Sequence, residues 1–264
     1  MQRLTVFGVT GRMGQSVLRA MAQTPEFTLA AAVASANSAS LGKDAALEGP
    51  ATGIPVTADV AAALQAATVA IDFSLPEGVA AHATACARAR VPLVVCATGL
   101  DSATQDALRM AAHDIALLIA ANTSVGVNLL ERLVAIAARN LGAGFDAEVL
   151  EAHHRMKRDA PSGTAMRLGE AIAAARGRSI ADVAILDRHG DAGPRRADGI
   201  GFAVVRGGDL IGEHTVIFAG DGERIELTHR ASDRMIFARG ALRAASWLAG
   251  RPAGSYGMQD VLDG

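Results

Sequence analysis

The chain has 264 residues, 50% apolar and 20% charged, with 28 glycines and 8 prolines. This composition gives room for one large domain or two modest ones with real cores, and it excludes disordered, collagen-like and low-complexity classes. With 25 Lys and Arg against 27 Asp and Glu, and only 3% aromatics, the chain offers neither a basic phosphate-tracking surface nor base-stacking rings, so no nucleic-acid partner is expected.

Short apolar runs at residues 4–7, 29–33, 69–73, 93–96 and 115–119 alternate with Ala-rich helical stretches such as 78–90 and 102–113. That alternation predicts a parallel sheet with crossover helices, a doubly wound first half. The pattern changes after a helix expected over 128–140. A strand is expected over 147–152 and a helix over 163–176, then strands over 201–206, 214–219 and 224–228, parted by Gly207-Gly208-Asp209 and Gly220-Asp221-Gly222. Consecutive strands with such short turns predict antiparallel pairing, and the second half reads as α+β with a mixed or antiparallel sheet. A final helix expected over 232–248 shows Met235, Ile236, Ala238, Leu242, Ala245 and Leu248 on one stripe. The expected organisation is a Rossmann-type α/β dinucleotide-binding domain at 1–126 and a substrate-binding and oligomerisation domain at 127–231, with a C-terminal helix within 232–264 packing back on the first.

The longest charge-free stretches, 27–42 and 115–130, are interrupted by Ser, Asn or Thr and fall short of the ~20 apolar residues that a bilayer span needs. Only Met1, Gln2 and Arg3 precede the first strand, too few for a signal peptide, so a cytoplasmic location is expected. Cys86 and Cys96 lack the spacing of a disulfide framework or a zinc site and read as buried free thiols.

Directly after the first strand comes Gly8-Val9-Thr10-Gly11-Arg12-Met13-Gly14, and a helical stretch follows. Glycines three apart allow a tight turn and close approach to a pyrophosphate, while the helix N-terminus offers N–H groups and a positive dipole end. A strand-to-helix glycine turn at this place in an alternating domain predicts a dinucleotide, with Arg12 adding a cation. The acidic residue that usually holds the adenosine ribose at the end of the second strand is missing: no Asp or Glu occurs in 27–42, and the strand end reads Val33-Ala34-Ser35. Without that carboxylate a 2'-phosphate is tolerated, so NADPH is expected alongside NADH, with Ser35, Asn37 and Ser38 as phosphate donors.

The densest chemistry lies at 148–165. A strand runs into a cationic loop, and the loop ends at Pro161-Ser162-Gly163, where Ser162 is placed to cap a helix. His153, His154 and Lys157 bring titratable donors and a cation to the N–H groups of Gly163 and Thr164, which suits binding and protonating a small carboxylate-bearing substrate. Adjacent histidines on a strand face opposite ways, and Arg155, Lys157 and Arg158 repel a divalent ion, so no metal site is expected.

The segment Glu151-Ala152-His153-His154-Arg155-Met156-Lys157-Arg158-Asp159-Ala160-Pro161-Ser162-Gly163-Thr164-Ala165 resembles the E-x-H-H-x-x-K-x-D-A-P-S-G-T-A signature of the 4-hydroxy-tetrahydrodipicolinate (dihydrodipicolinate) reductases of lysine biosynthesis. Similarity extends to Gly8 through Gly14, Asp72-Phe73-Ser74, Ala97-Thr98-Gly99, Asn122 through Asn128, and Gly201-Phe202 through His214. The resemblance implies an NAD(P)H-dependent reductase of a cyclic imine dicarboxylate. Its cofactor would lie on Gly8, Val9, Thr10, Gly11, Arg12, Met13, Ala34 and Ser35, with the nicotinamide near Cys96, Ala97, Thr98 and Ala120, Ala121, Asn122, Thr123. It further implies His153 and Lys157 as proton donors, and His154, Ser162, Gly163 and Thr164 as substrate-carboxylate partners. The chain departs from the family pattern at Cys96-Ala97 for Gly-Thr, at Thr123 for an aromatic, and at Ala34-Ser35 for the ribose acid and its neighbouring Arg. A homotetramer built through the second domain's sheet is also implied. An NAD(P)-dependent amino-acid or imine dehydrogenase of another substrate, and a non-catalytic NAD(P)H redox sensor, are the alternatives.

Overall fold

The first apolar run forms β1 (Gln2–Phe7), followed by α1 (Arg12–Met21), β2 (Phe27–Val33), β3 (Val56–Thr57), α2 (Val60–Leu64), β4 (Val69–Asp72), α3 (Pro76–Ala89), β5 (Leu93–Val95), α4 (Ser102–Ala111) and β6 (Ala116–Ile119). After α5 (Val125–Leu141) come β7 (Asp146–His153), α6 (Gly163–Ala175), α7 (Ile180–Val183), β8 (Ala184–Ile185), β9 (Ile200–Arg206), β10 (Gly212–Gly220) and β11 (Glu223–Ala231). The chain closes with α8 (Met235–Leu248), β12 (Gly254–Tyr256) and α9 (Met258–Asp263). The computed structural model describes residues 1–264 and divides into two units, 1–125 with 235–264, and 126–234.

In the first unit seven parallel strands lie in the order β12-β6-β5-β4-β1-β2-β3. Their apolar runs are nearly continuous because both faces are covered. One face packs on α1, α8 and α9 through Val17, Leu18, Leu242, Ala245 and Val261. The other packs on α2, α3 and α4 through Leu64, Val79, Ala83 and Leu108. Strand order reverses between β1 and β4, which opens a crevice at the carboxyl ends of those strands.

The tail at 232–264 is a helix, a strand and a second short helix. Gly250 at φ +88° and Pro252 end α8, and Gly254–Tyr256 then extends the sheet beside β6. The expected start of the helix at 78 moves back to Pro76, whose fixed φ suits the first helical turn.

In the second unit the sheet order is β11-β10-β7-β9-β8, with β10 antiparallel to β11 and β7, and β9 parallel to β7 and β8. The sheet is mixed, but β9 and β10 do not pair despite the short turn between them. β7 inserts between the two and pairs with both. Alternate residues Ala147, Val149, Ile200, Phe202, Val216 and Phe218 bury against Leu130, Val134, Leu168 and Ile172 of α5 and α6. On the other face Leu150, Ala203 and Val205 are exposed.

Candidate active site

The glycine turn lies at the carboxyl end of β1, and each glycine answers a different constraint. Gly8 has φ +71°, and a Cβ there would lie 2.7 Å from the Phe73 carbonyl and the Ser74 nitrogen, in the loop after β4. At Gly14 a Cβ would be 2.6 Å from Val9 Cα, so only glycine lets α1 pack this closely on the turn. Gly11 is the N-cap of α1. It brings no side chain to the first-turn N–H groups, no acidic residue stands in that turn, and a Cβ at Gly11 would meet only the Gly8 carbonyl oxygen, at 3.2 Å. An uncapped helix start with room in front of it fits a pyrophosphate.

The other expected cofactor positions also follow strand ends of this parallel sheet. Ala34 succeeds β2, donates its N–H to Thr57 O at 3.0 Å and has a buried side chain, while Ser35 is exposed. Cys96 and Ala97 after β5 turn their side chains into the two cores, leaving their backbone and exposed Thr98 at the edge. Burial, with the Asp72 charge adding to it, raises the Cys96 thiol well above its usual range, so the thiol stays neutral. After β6, Ala120 is buried and Ala121 exposed. Asn122 accepts the Ser124 N–H at 2.9 Å, and buried Thr123 donates its hydroxyl to Phe237 O at 2.7 Å. The Thr123 side chain is thus committed to α8. The loop after β4 is pinned by wholly buried Asp72, which accepts the Ser74 N–H at 2.7 Å and lies 2.9 Å from His82 Nδ1.

In the second unit β7 delivers Glu151 and His153 to one face, as residues two apart on a strand must be. His153 Nδ1–H donates to Glu151 Oε2 at 2.6 Å. Arg206 at the end of β9 grips the same carboxylate with two bonds of 2.7 Å, and the Ser162 N–H adds a fourth at 2.9 Å. Ser162 caps α6 by accepting from Ala165 N, and its hydroxyl lies 3.2 Å from His214 Nε2. The His153 and His214 rings meet edge to face, centroids 5.2 Å apart. Half-buried His154 closes a turn by accepting the Lys157 N–H.

Lys157 Nζ lies 2.8 Å from Asp159, and that pairing, with help from the Gly163 N–H, holds the Asp159 carboxyl below its usual range against a smaller opposing effect of burial. The cation and the α6 N-terminus therefore converge on a carboxylate that the chain itself provides. Thr164, half-buried, sits beside Gly163 in the same turn.

Burial pushes His153 toward its neutral form, and Lys157 and Arg206 add to this, while Glu151 opposes it. Glu151 is pushed up by burial, but the bonds from Arg206, His153 and Ser162 hold it below the ordinary carboxylate range. His214 drops to about 4, mainly from burial and then from the His153 charge. Glu151, Asp159, Arg206 and His214 have no assigned role in the residue-level reading of the sequence. The strand spacing of Glu151 and His153 was a usable signal for one of them; Arg206 and His214 are 55 and 63 residues from Glu151 in sequence and come near it only through the sheet.

A doubly wound unit with an open glycine turn, joined to a mixed-sheet unit with a buried histidine and a loop whose lysine and helix N-terminus hold the Asp159 carboxylate, defines a two-domain oxidoreductase of the dinucleotide-binding class. Family models match as dihydrodipicolinate reductase N-terminus over residues 2–123 and C-terminus over 126–262. The chain is 46% identical over 260 residues to the 4-hydroxy-tetrahydrodipicolinate reductase of Nitrosomonas europaea, covering 98% of this chain and 97% of that one. It is 48% identical over 261 residues to that of Burkholderia thailandensis, with the same coverage. A solved dipicolinate-bound dihydrodipicolinate reductase from Paenisporosarcina sp. TG-14 shares the fold at a TM-score of 0.79 and 24% identity, covering 98% of this chain and 99% of the other. The chain belongs to the dihydrodipicolinate reductase family.

Proposed function

We infer that this chain catalyses the NAD(P)H-dependent reduction of 4-hydroxy-tetrahydrodipicolinate to tetrahydrodipicolinate in the diaminopimelate route of lysine biosynthesis. The observation that carries this reading is near-half identity to reductases of that name along almost the whole chain. The Gly8–Gly14 turn, Ala34-Ser35, the Cys96–Thr98 backbone and residues 120–123 hold the cofactor, which supplies hydride when bound.

Exchanging a ring hydroxyl for hydride consumes one proton, and the hydroxyl leaves as water. His153 and Lys157 are the proton donors available for it. Lys157, His154, Ser162, Gly163 and Thr164 bind the substrate carboxylates, in competition with Asp159 for the donors it occupies. Both NADPH and NADH serve, NADPH modestly better, because Ala34 neither binds the ribose hydroxyls nor repels a 2'-phosphate. The enzyme is a homotetramer joined through the open face of the second unit's sheet, where Leu150 and Val205 are 37% and 56% exposed. It works in the cytoplasm, and no helix is long and apolar enough to cross a membrane.

The test is turnover. Purified protein should oxidise NADPH only when the hydroxylated substrate is added, and His153→Ala and Lys157→Ala should each lower kcat/KM by ~100-fold or more with folding intact. Binding of NADPH without turnover would identify a sensor instead, and near-normal rates in both variants would remove these residues from the acid's role.

A further inference from the structure

The carboxylate of Glu151 is 1% exposed and takes four hydrogen bonds: His153 Nδ1–H, the Ser162 N–H, and both terminal nitrogens of Arg206. Arg206 also donates to the Asp159 carbonyl at 2.6 Å. Together the pair ties the end of β7 to the C-terminal side of the loop that carries Lys157, at Asp159 and Ser162. Replacing a buried ion pair by apolar residues of equal volume is often neutral or stabilising, so packing alone does not account for charges at this place.

We propose that Glu151, clamped by Arg206, is the positioning residue of the site: it fixes the His153 ring with Nδ1–H toward the carboxylate, so that Nε2 is the atom that gives the proton. The proposal rests on the reading of His153 as proton donor. A carboxylate can only accept, so the ring must keep its hydrogen on Nδ1 in both protonation states. The two Arg206 bonds keep Glu151 ionised, and the proton on Nδ1 stays on the ring. The imidazolium gives its Nε2 proton to the substrate, and solvent restores it. A Cβ at residue 212 would lie 3.1 Å from Nε2, so Gly212 leaves that atom clear.

The titratable and charged groups around His153 are Glu151 on its own strand, Arg206 on β9, Lys157 in the loop, and the His214 ring on β10, which is paired across the ladder with His229 on β11. Glu151 favours the imidazolium, whereas Arg206 and Lys157 disfavour it. The acid must be protonated, so kcat/KM falls as pH rises through the His153 pKa. Glu151→Gln removes the favouring charge and should move that limb down by about one pH unit or more. Arg206→Gln removes an opposing charge and should move it up. Glu151→Asp should restore the wild-type limb with a reduced kcat, since the shorter carboxylate loses reach.

Histidine-selective NMR titration, with His153→Gln to assign the ring, reads the same shifts without turnover, and NADPH affinity with circular dichroism checks folding. Should either charge variant fail to fold, the wild-type ring should still titrate as the Nδ1–H tautomer, and an Nε2–H tautomer would overturn the proposal. Limbs that stay put, or that move in the same direction in both charge variants, would overturn it while leaving His153 as the acid. A limb that survives unchanged in His153→Gln would instead overturn the reading of His153.

Discussion

Gly11 and Gly14 of the first turn should separate on substitution, because their surroundings differ. In Gly14→Ala the new Cβ would lie 2.6 Å from Val9 Cα and Val9 O, and closer still to the Gly8 carbonyl oxygen. All three are backbone atoms and cannot swing aside, so the cost belongs at the upper end of the ~1 to 3 kcal/mol for overpacking. Replacing a helical glycine returns about 1 kcal/mol of propensity, which leaves a net loss of about 2 kcal/mol. For a chain of this size that lowers Tm by about 4 to 8 °C. Gly11→Ala is the opposite case. Its φ of −76° is open to any residue and its Cβ meets one atom at 3.2 Å, so stability should change by only about 0.5 kcal/mol. The methyl would instead stand in front of the α1 N-terminus. Losing one hydrogen bond to a charged phosphate costs ~1.5 to 3 kcal/mol, which raises the NADPH Kd roughly ten- to a hundredfold. Calorimetric melting and isothermal titration with NADPH read the two quantities separately. A Gly14→Ala protein as stable as wild type would refute the close helix–turn approach, and an unchanged Kd in Gly11→Ala would refute the placement of the pyrophosphate.

Three further outcomes are expected. Ala34→Glu should shift the ratio of kcat/KM for NADH over NADPH toward NADH by roughly ten- to a hundredfold, the worth of a charged hydrogen bond to the ribose; an unchanged ratio would move the ribose away from the end of β2. Light scattering at micromolar concentration should give about four times the 27.0 kDa chain mass, and a monomer would show that the open sheet face is not an interface. His214 has a folded value of about 4 against its ordinary 6.5, so the unfolded chain binds the extra proton and stability falls as pH drops from about 6.5 toward 4. Urea unfolding near neutral pH and near pH 4 should show His214→Gln losing about 2 to 4 kcal/mol less than wild type over that interval, and equal losses would place His214 in contact with water.

Periodicity and turn residues are local, and what they encode was legible in the chain itself. Unbroken apolar runs such as 69–71 and 93–95 mark strands covered on both faces, the alternation of Ala147, Val149, Glu151 and His153 marks a strand with one buried face, and Gly8, Gly11 and Gly14 mark a backbone that must come close to something. The short strands β3, β8 and β12 show no period and exist only because a neighbour supplies their hydrogen bonds. Sheet order was equally hidden. The short turn between β9 and β10 suggests a hairpin, yet β7 lies between them, because its alternating apolar residues are buried with those of β9 on one side and β10 on the other. That order, and nothing within the signature segment, brings Arg206 and His214 to Glu151 and His153. Which residues occur in the site follows from sequence; which charge faces which depends on strand register, and register is set by burial summed over the whole sheet.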